Sequence, residues 1–183
     1  MPKTMPVRPI SARIRQSLFD IIRPKITGSR FLDLFAGTGA VGLEALSRGA
    51  GRAVFVDADP RCVKVIEKNL ERSGWAAKGK AFRGDLRSPL SWVAYRAGPD
   101  RFDLIFLGPP YKDAEKRPLQ MTTGVLERIL AAGLLEPDGW VIAQHHKKES
   151  PKTPPGLELF RTSRYGDTLL SFFRPPPAAP PAF

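Results

Sequence analysis

The sequence is poor in the residues that build disulfide frameworks, metal clusters and membrane spans. Cys62 is the only cysteine, so no disulfide can form within the chain. The 2 histidines are adjacent, at positions 145 and 146, and neighbouring side chains of a strand point to opposite faces. No apolar run reaches the roughly 18 residues that indicate a membrane-spanning helix. We therefore expect a cytoplasmic protein that needs neither a metal nor a membrane.

Negative charge is also scarce relative to positive charge. The 183 residues include 29 lysines and arginines against 18 aspartates and glutamates, which gives a formal net charge of +11. A basic chain attracts polyanions because each neutralised phosphate releases condensed counterions. The charge balance therefore favours a nucleic acid partner over a small neutral metabolite.

Strand and helix patterns alternate along the chain. Apolar runs predict strands at 30–35, 53–56, 80–82, 103–107 and 140–144. Helical spacing predicts helices at 40–48, 88–97 and 120–132, and another that starts at Pro60 and turns Val63, Ile66 and Leu70 inward. This alternation is typical of a Rossmann-like, doubly wound α/β fold with a mostly parallel sheet. Segments 157–164 and 168–174 predict a C-terminal antiparallel hairpin, which brings the sheet to seven strands.

Both ends of the chain differ from this central pattern. A basic N-terminal helix is predicted at about 9–23, where Ser11 can cap it and Leu18 and Phe19 belong to its apolar face. Residues 1–174 are expected to form a single domain that acts as a monomer. Residues 175–183 are rich in proline, which cannot donate to a sheet, so we predict a disordered tail.

A glycine-rich loop follows the first predicted strand and opens a helix. Gly37, Gly39 and Gly42 match the G-x-G-x-x-G spacing, which lets a ligand approach the backbone at a helix N-terminus. Asp57, at the end of the second strand, can accept hydrogen bonds from both hydroxyls of a ribose. These features fit a nicotinamide dinucleotide as well as S-adenosylmethionine.

Acidic residues at three successive strand ends favour S-adenosylmethionine. Asp33 would repel a pyrophosphate but attract the ammonium of a methionyl group, and Asp85 can accept from an adenine amino group. Their structural alternatives are a loop-capping carboxylate and a helix cap. The predicted cofactor-binding residues are Asp33, Phe35, Gly37, Gly39, Asp57, Asp85 and Leu86.

The fourth predicted strand runs into two prolines and an aromatic residue. Ligands of doubly wound sheets bind beyond the carboxyl ends of the strands, near the topological switch point. The prolines stiffen the loop and leave carbonyls as acceptors, and Tyr111 offers a face for stacking an extruded base. We predict Gly108, Pro109, Pro110 and Tyr111 as the catalytic loop; the alternative is a rigid turn with a packing tyrosine.

These motifs resemble those of bacterial small-subunit ribosomal RNA guanine-N2 methyltransferases. The similarity lies in Asp33–Gly39, Gly42–Ala50, Pro109–Tyr111, Arg13–Phe19 and Tyr165–Thr168. The resemblance implies direct transfer of a methyl group from S-adenosylmethionine to the exocyclic N2 of a guanine. The implied partner is ribosomal RNA or the small ribosomal subunit.

Two features depart from the family pattern. The family has Asp or Asn at the position of Gly108, where its side chain accepts a hydrogen bond from the target amino group. Here the backbone carbonyls of Gly108 and Pro109 are expected to accept it. Family members usually begin with a basic hairpin, and we expect Arg8, Arg13 and Arg15 to provide part of the corresponding contact with RNA.

Three alternatives stay open on the sequence alone. Gly108 is compatible with a protein that binds cofactor and RNA but has weak or no catalytic activity. The Pro-Pro-aromatic loop is shared with methyltransferases that act on DNA or on a protein amide. The glycine motif alone also allows an NAD-dependent oxidoreductase, which Asp33 and Tyr111 disfavour.

Overall fold

The strands form one mixed sheet in a computed structural model that describes residues 10–98, 101–112 and 118–177. They are β1 Arg30–Leu34, β2 Arg52–Asp57, β3 Gly79–Arg83, β4 Phe102–Leu107, β5 Leu135–His146, β6 Glu158–Tyr165 and β7 Thr168–Arg174. Their order across the sheet is β3-β2-β1-β4-β5-β7-β6. The first five strands are parallel, and β7 runs antiparallel to both of its neighbours. The predicted doubly wound sheet with a terminal hairpin is confirmed.

Helices cover both faces of the sheet. Those within the described residues are α1 Ala12–Ile26, α2 Ala40–Ser47, α3 Pro60–Arg72, α4 Ser91–Ala97 and α5 Thr122–Ala131. One buried apolar cluster joins the first three helices to one face, and a second cluster joins α4 and α5 to the other. Because helices bury both faces, the central strands are almost entirely apolar; in β4 every residue except Asp103 is buried.

Helix α1 begins at Ala12, directly after the predicted cap but about three residues after the predicted start, and it ends at Ile26, about one turn after the predicted end. The Ser11 hydroxyl accepts a hydrogen bond from the backbone N–H of Ile14 at 3.3 Å, which confirms the predicted cap. The expected end at 23 reflects Pro24, which lacks a helical N–H donor. The helix nevertheless continues to Ile26, because that side chain is buried in the core and holds the last turn against the sheet.

Helices α4 and α3 differ in detail from the prediction. Helix α4 begins at Ser91 and not at Ser88, because the N–H of Ser88 instead closes a turn onto the carbonyl of Asp85 at 3.0 Å. In α3 the fully buried residue ahead of Ile66 is Cys62, whereas Val63 is only half-buried.

Strand β5 starts earlier than the predicted Trp140 because it contains an irregularity. Leu135 pairs with Phe102, and the next pairs begin with Trp140 opposite Leu104, so the residues between them leave the regular ladder. That segment includes Pro137, which is unfavourable within a regular strand. The remainder of β5 is regular and ends at the same edge of the sheet as β4.

The chain reverses its direction of winding at β1, which lies between β2 and β4. The loops after β1 and β4 therefore leave a shared edge toward opposite halves of the sheet. Such a switch point forms a crevice at the carboxyl ends of the strands, where doubly wound proteins bind their ligands. The glycine loop and the Pro-Pro-Tyr segment both start at this crevice.

Candidate active site

The glycine loop, residues 35–39, turns sharply as it leaves β1. Phe35 has a φ of 60°, Gly37 of 56° and Gly39 of 82°. Left-handed backbone is disfavoured for residues with a Cβ, so glycine relieves the cost at two of these three positions and Phe35 carries strain. The tight turn brings the N-terminus of α2 to the edge of the sheet, where a ligand can lie close to main chain.

The third glycine of the motif permits close packing of α2 on β2. A Cβ at Gly42 would lie 2.3 Å from Cε1 of Phe55, which is closer than two carbon atoms can approach. The backbone N–H of Gly42 also donates to Oδ2 of Asp33 at 2.9 Å. Gly42 therefore positions the helix and a carboxylate of the site.

Asp33 is an enclosed carboxylate at the end of β1. Its side chain is buried, with 1% of its surface exposed. Burial raises the pKa of Asp33 to about 7; the Gly42 N–H opposes this increase, and the negative charge of Asp57 adds to it. Asp33 therefore titrates close to neutral pH, and a cation bound beside it would favour the ionised form.

Asp57 holds the glycine loop and retains capacity for a ligand. Its Oδ2 accepts the N–H of Gly37 at 2.8 Å, and its Oδ1 accepts the N–H of Asp59 at 2.9 Å. A carboxylate has about four lone-pair positions, so further acceptor positions remain for the hydroxyls of a ribose. The location and chemistry of Asp57 fit the predicted ribose contact.

Asp85, the third acidic residue, is more exposed than Asp33 and Asp57 and forms an ion pair with Arg87. Arg87 donates to Asp85 through Nε at 3.0 Å and through Nη2 at 2.9 Å. The Arg87 guanidinium holds the pKa of Asp85 below its usual range, so Asp85 is ionised at neutral pH. Leu86 buries its side chain in the core beside α4, so its contribution to a cofactor site would come from its backbone.

The Pro-Pro-Tyr loop, residues 108–111, is bonded to the end of β1. The backbone N–H of Gly108 donates to the carbonyl of Leu34 at 3.3 Å. Leu34 is the residue after Asp33, and the two loops therefore leave the sheet side by side. Pro109 is buried, whereas Gly108, Pro110 and Tyr111 are half-buried.

Tyr111 is fixed through its hydroxyl and keeps a partly accessible ring. The hydroxyl donates to Oγ1 of Thr168 at 3.2 Å and accepts from Nε2 of Gln144 at 3.2 Å. The ring of His146 meets it edge-on, with centroids 5.6 Å apart. A ring held at its hydroxyl end suits the predicted stacking of a base.

Comparison with known proteins agrees with this geometry. The family model described as "Conserved hypothetical protein 95" matches residues 1–174. The chain is 34% identical to "Putative rRNA methyltransferase YlbH" of Bacillus subtilis, over 91% of this chain and 87% of that protein. The chain therefore belongs to the family described as "Conserved hypothetical protein 95". It is also 32% identical to ribosomal RNA small subunit methyltransferase D of Escherichia coli, over 77% of this chain and 62% of that protein.

A solved structure has the same fold. "Putative methyltransferase yhhF from Escherichia coli" superposes with a TM-score of 0.75 at 24% identity, covering 92% of this chain and 87% of that one. This superposition confirms the predicted Rossmann-like fold. The family model and the sequence relatives confirm the predicted membership of a ribosomal RNA methyltransferase family, without specifying the target nucleotide. The methyltransferase relatives support S-adenosylmethionine as the cofactor.

The family motifs do not include every residue that the fold brings to the site. Gln144 and His146 belong to none of the motifs that predicted the site, and Thr168 belongs to one only through the segment Tyr165–Thr168. One signal was available for Gln144, which is a polar residue that follows the apolar run Val141–Ala143 near the end of a predicted strand. The contacts to Tyr111 depend on the pairing of β4 with β5 and of β5 with β7, which local patterns do not specify.

The predicted RNA-binding arginines have different environments. Arg8 lies outside the described residues. Arg13 is exposed and has no ion pair in the described part of the chain, whereas Nε of Arg15 lies 3.7 Å from Oε2 of Glu44. One turn after Arg13, the Ser17 hydroxyl hydrogen-bonds the Tyr165 hydroxyl, which links α1 to the tip of the β6–β7 hairpin.

Residues 10–98, 101–112 and 118–177 contain no group of three or more His, Cys, Asp or Glu side chains arranged to hold a metal ion. Within the same ranges, no helix combines the length and the apolar character that crossing a bilayer requires.

Proposed function

We propose that this protein transfers a methyl group from S-adenosylmethionine to the exocyclic N2 of a guanine in small-subunit ribosomal RNA. The observation that carries the proposal is the bond from the Gly108 N–H to the Leu34 carbonyl, which puts the Pro-Pro-Tyr loop next to the buried Asp33. A cofactor bound along the ends of β1 and β2 would then face a base held at Tyr111. The similarity to relatives named as ribosomal RNA methyltransferases supports RNA as the substrate.

The acidic edge of the sheet fits this cofactor. When bound, S-adenosylmethionine supplies an electrophilic methyl group on a sulfonium centre. Asp33 attracts the methionyl ammonium, directly or through water, and Asp57 accepts from the ribose hydroxyls. Asp85 accepts from the adenine amino group on the side that Arg87 leaves open. Phe35, Gly37, Gly39 and Leu86 shape the remaining walls of this cofactor site.

The Pro-Pro-Tyr loop orients the nucleophile. Tyr111 stacks the guanine, and the carbonyls of Gly108 and Pro109 face its amino group. The nitrogen lone pair forms the new bond to the methyl carbon, the carbon–sulfur bonding electrons stay on sulfur, and a proton leaves the nitrogen for water. No covalent intermediate with the protein is required. Proximity and orientation of the two reacting groups supply most of the acceleration.

The basic surface of the chain carries the contact with RNA. The net charge of +11 attracts the phosphate backbone, and the exposed Arg13 lies on the helix linked to the hairpin beside Tyr111. Arg8 and Arg15 extend this contact. A substrate in the small ribosomal subunit implies that the protein works in the cytoplasm.

The test is methyl transfer from labelled S-adenosylmethionine to unmodified small-subunit ribosomal RNA and to assembled subunits. Digestion to nucleosides identifies the product, and we expect N2-methylguanosine. Asp57→Asn should lose most transfer through weaker cofactor binding, whereas Lys68→Ala, which alters an exposed residue of α3, should behave as wild type. Gly108→Asp should be at least as active as wild type, since it restores a side-chain acceptor.

The outcomes separate the alternatives. Label on DNA or on protein but not on RNA would assign a different substrate to the same site. Cofactor binding with no transfer by either the wild type or Gly108→Asp would contradict the proposed enzyme. Transfer by Gly108→Asp alone would mean that the natural chain binds cofactor and RNA without turnover.

A further inference from the structure

Gln144 is a buried polar residue with an unused acceptor. Its side chain is 8% exposed, and its Nε2 donates to the Tyr111 hydroxyl at 3.2 Å. Its Oε1 is buried and has no hydrogen-bond partner among the described residues. Leaving a buried amide oxygen unsatisfied destabilises the folded state. An acceptor kept free at this cost beside the Pro-Pro-Tyr loop requires a functional explanation.

The strand register brings Gln144 next to Gly108. In the parallel pairing of β4 with β5, Phe106 lies opposite Ile142 and Leu107 opposite Ala143. One residue further along both strands, Gly108 follows Leu107 and Gln144 follows Ala143. The two residues are therefore neighbours at the carboxyl edge of the sheet.

The two positions also share a face of the sheet. Residues two apart in a strand point to the same side, so Gly108 follows Phe106 and Gln144 follows Ile142 onto the side covered by α1. A Cβ at Gly108 would lie 3.1 Å from Cε1 of Phe106, as expected for that side. The Gln144 amide thus lies beside the space that a side chain at position 108 would enter.

Methylation of an exocyclic amine requires an acceptor near this space. The lone pair of the guanine amine is delocalised into its ring, and a hydrogen bond accepted from its N–H directs the lone pair toward the methyl group. The same bond stabilises the positive charge that develops on nitrogen. A neutral amide oxygen suits the task, since it accepts the bond without removing the proton.

We propose that Oε1 of Gln144 accepts a hydrogen bond from the target amino group and supplies the acceptor that Gly108 lacks. This inference rests on the proposed function of the site. The same amide holds the Tyr111 hydroxyl through Nε2, so one side chain orients the stacking ring and the reacting nitrogen together. The oxygen is covered in this structure, and the contact forms when the 108–111 loop shifts around the bound base.

The test compares three variants in steady-state methyl transfer to ribosomal RNA. Gln144→Leu removes the acceptor and the bond to Tyr111, and we expect transfer to fall about 10²- to 10³-fold with a much smaller change in KM. Thr168→Val is the matched control, since it removes the other partner of the Tyr111 hydroxyl and leaves the Gln144 acceptor in place. We expect Thr168→Val to affect KM more than kcat.

The double variant Gly108→Asp/Gln144→Leu separates an acceptor role from a structural role. It should recover most of the lost rate, because the carboxylate introduced at position 108 can accept from the amino group in place of Gln144. Thermal unfolding and S-adenosylmethionine binding of each variant report whether the fold and the cofactor site persist.

Two results would overturn the inference alone. One is a wild-type rate in Gln144→Leu; the other is a loss equal to that of Thr168→Val that Gly108→Asp does not restore. An inactive wild type with an active Gly108→Asp would overturn both the inference and the proposed activity of the natural chain, since Gln144 would then be present and insufficient. Methyl transfer to RNA by neither of these two proteins would refute the proposed substrate as well.

Discussion

The buried carboxylate of Asp33 is unfavourable for folding but suited to binding a cation. Burial makes its ionised form unfavourable, while the Gly42 N–H and a bound cation favour that form. An apolar or amide side chain at position 33 would therefore give a more stable folded state than the carboxylate does. Such a conflict between local stability and charge is typical of a binding site.

The affinity for S-adenosylmethionine should depend on the ionisation of Asp33. Because the methionyl ammonium favours the carboxylate, we expect affinity to increase as the pH rises through about 7. Above about 8 it should fall again, where an α-amino group loses its proton. Isothermal titration calorimetry across this range measures both the rise and the fall in affinity. Asp33→Asn should abolish the rise in affinity near pH 7 and keep the fall at higher pH. An unchanged rise in Asp33→Asn would show that Asp33 does not contact the cofactor.

The same residue should make the free protein less stable at higher pH. The pKa of Asp33 is raised from 3.8 to about 7 on folding, so the folded state binds more protons than the unfolded state between these values. The free energy of unfolding therefore decreases as the pH rises through that window, by up to roughly 4 kcal/mol. Asp33→Asn should be more stable than wild type at pH near 8 in denaturant unfolding. The difference should vanish near pH 4, and a constant difference would contradict the burial effect.

At the scale of elements, the contact of α2 with β2 sets the shape of the cofactor site. The helix can approach the strand because residue 42 has no side chain, and the approach aligns the Gly42 N–H with Asp33. The β6–β7 hairpin likewise helps to position the Pro-Pro-Tyr loop. Strand β7 runs antiparallel beside β5, which brings its first residue, Thr168, to the Tyr111 hydroxyl.

We expect Gly42→Ala to disturb stability and cofactor binding together. The new methyl group would overlap the ring of Phe55, and overpacking of this kind typically costs about 1–3 kcal/mol. Displacement of α2 would also weaken the bond to Asp33 and lower the affinity for S-adenosylmethionine. Urea unfolding and calorimetry measure the two effects. Ser47→Ala, an exposed substitution at the end of the same helix, is the control and should change neither.

At the scale of the whole molecule, positive charge should govern the proposed encounter with RNA. The net charge of +11 acts over the whole surface, whereas the proposed cofactor site is lined by the carboxylates of Asp33 and Asp57. The two binding reactions should therefore respond differently to salt, because only binding to the polyanion releases many condensed counterions.

Affinity for ribosomal RNA should fall steeply with salt concentration, while affinity for S-adenosylmethionine changes little. Arg13→Ala should reduce the slope of log affinity against log salt by about 0.7–1, the contribution of one phosphate contact. Filter binding over a salt series gives the slope. Lys68→Ala removes an exposed charge from α3, which packs at the β2–β3 end of the sheet, and should leave the slope closer to wild type. Equal slopes for all three proteins would exclude Arg13 from the RNA contact.

Much of the architecture could be predicted from local patterns. Alternating apolar strands and amphipathic helices indicated the fold class, and the glycine loop predicted where β1 ends and α2 begins. Boundaries failed where tertiary contacts outweighed local preference. Burial of Ile26 carries α1 past Pro24, and pairing with β4 starts β5 at Leu135.

The residue types of the site and the loops that carry them follow from local sequence. Asp33, Asp57 and Tyr111 lie at or just after strand ends, and the carboxyl ends of parallel strands share one edge. Which groups meet across strands depends on the assembled fold, as for Gln144 and Thr168 at the Tyr111 hydroxyl and Gly108 at Leu34. Register between distant strands arises from packing of the whole core, and burial, which raises the pKa of Asp33, is likewise a property of the assembled fold.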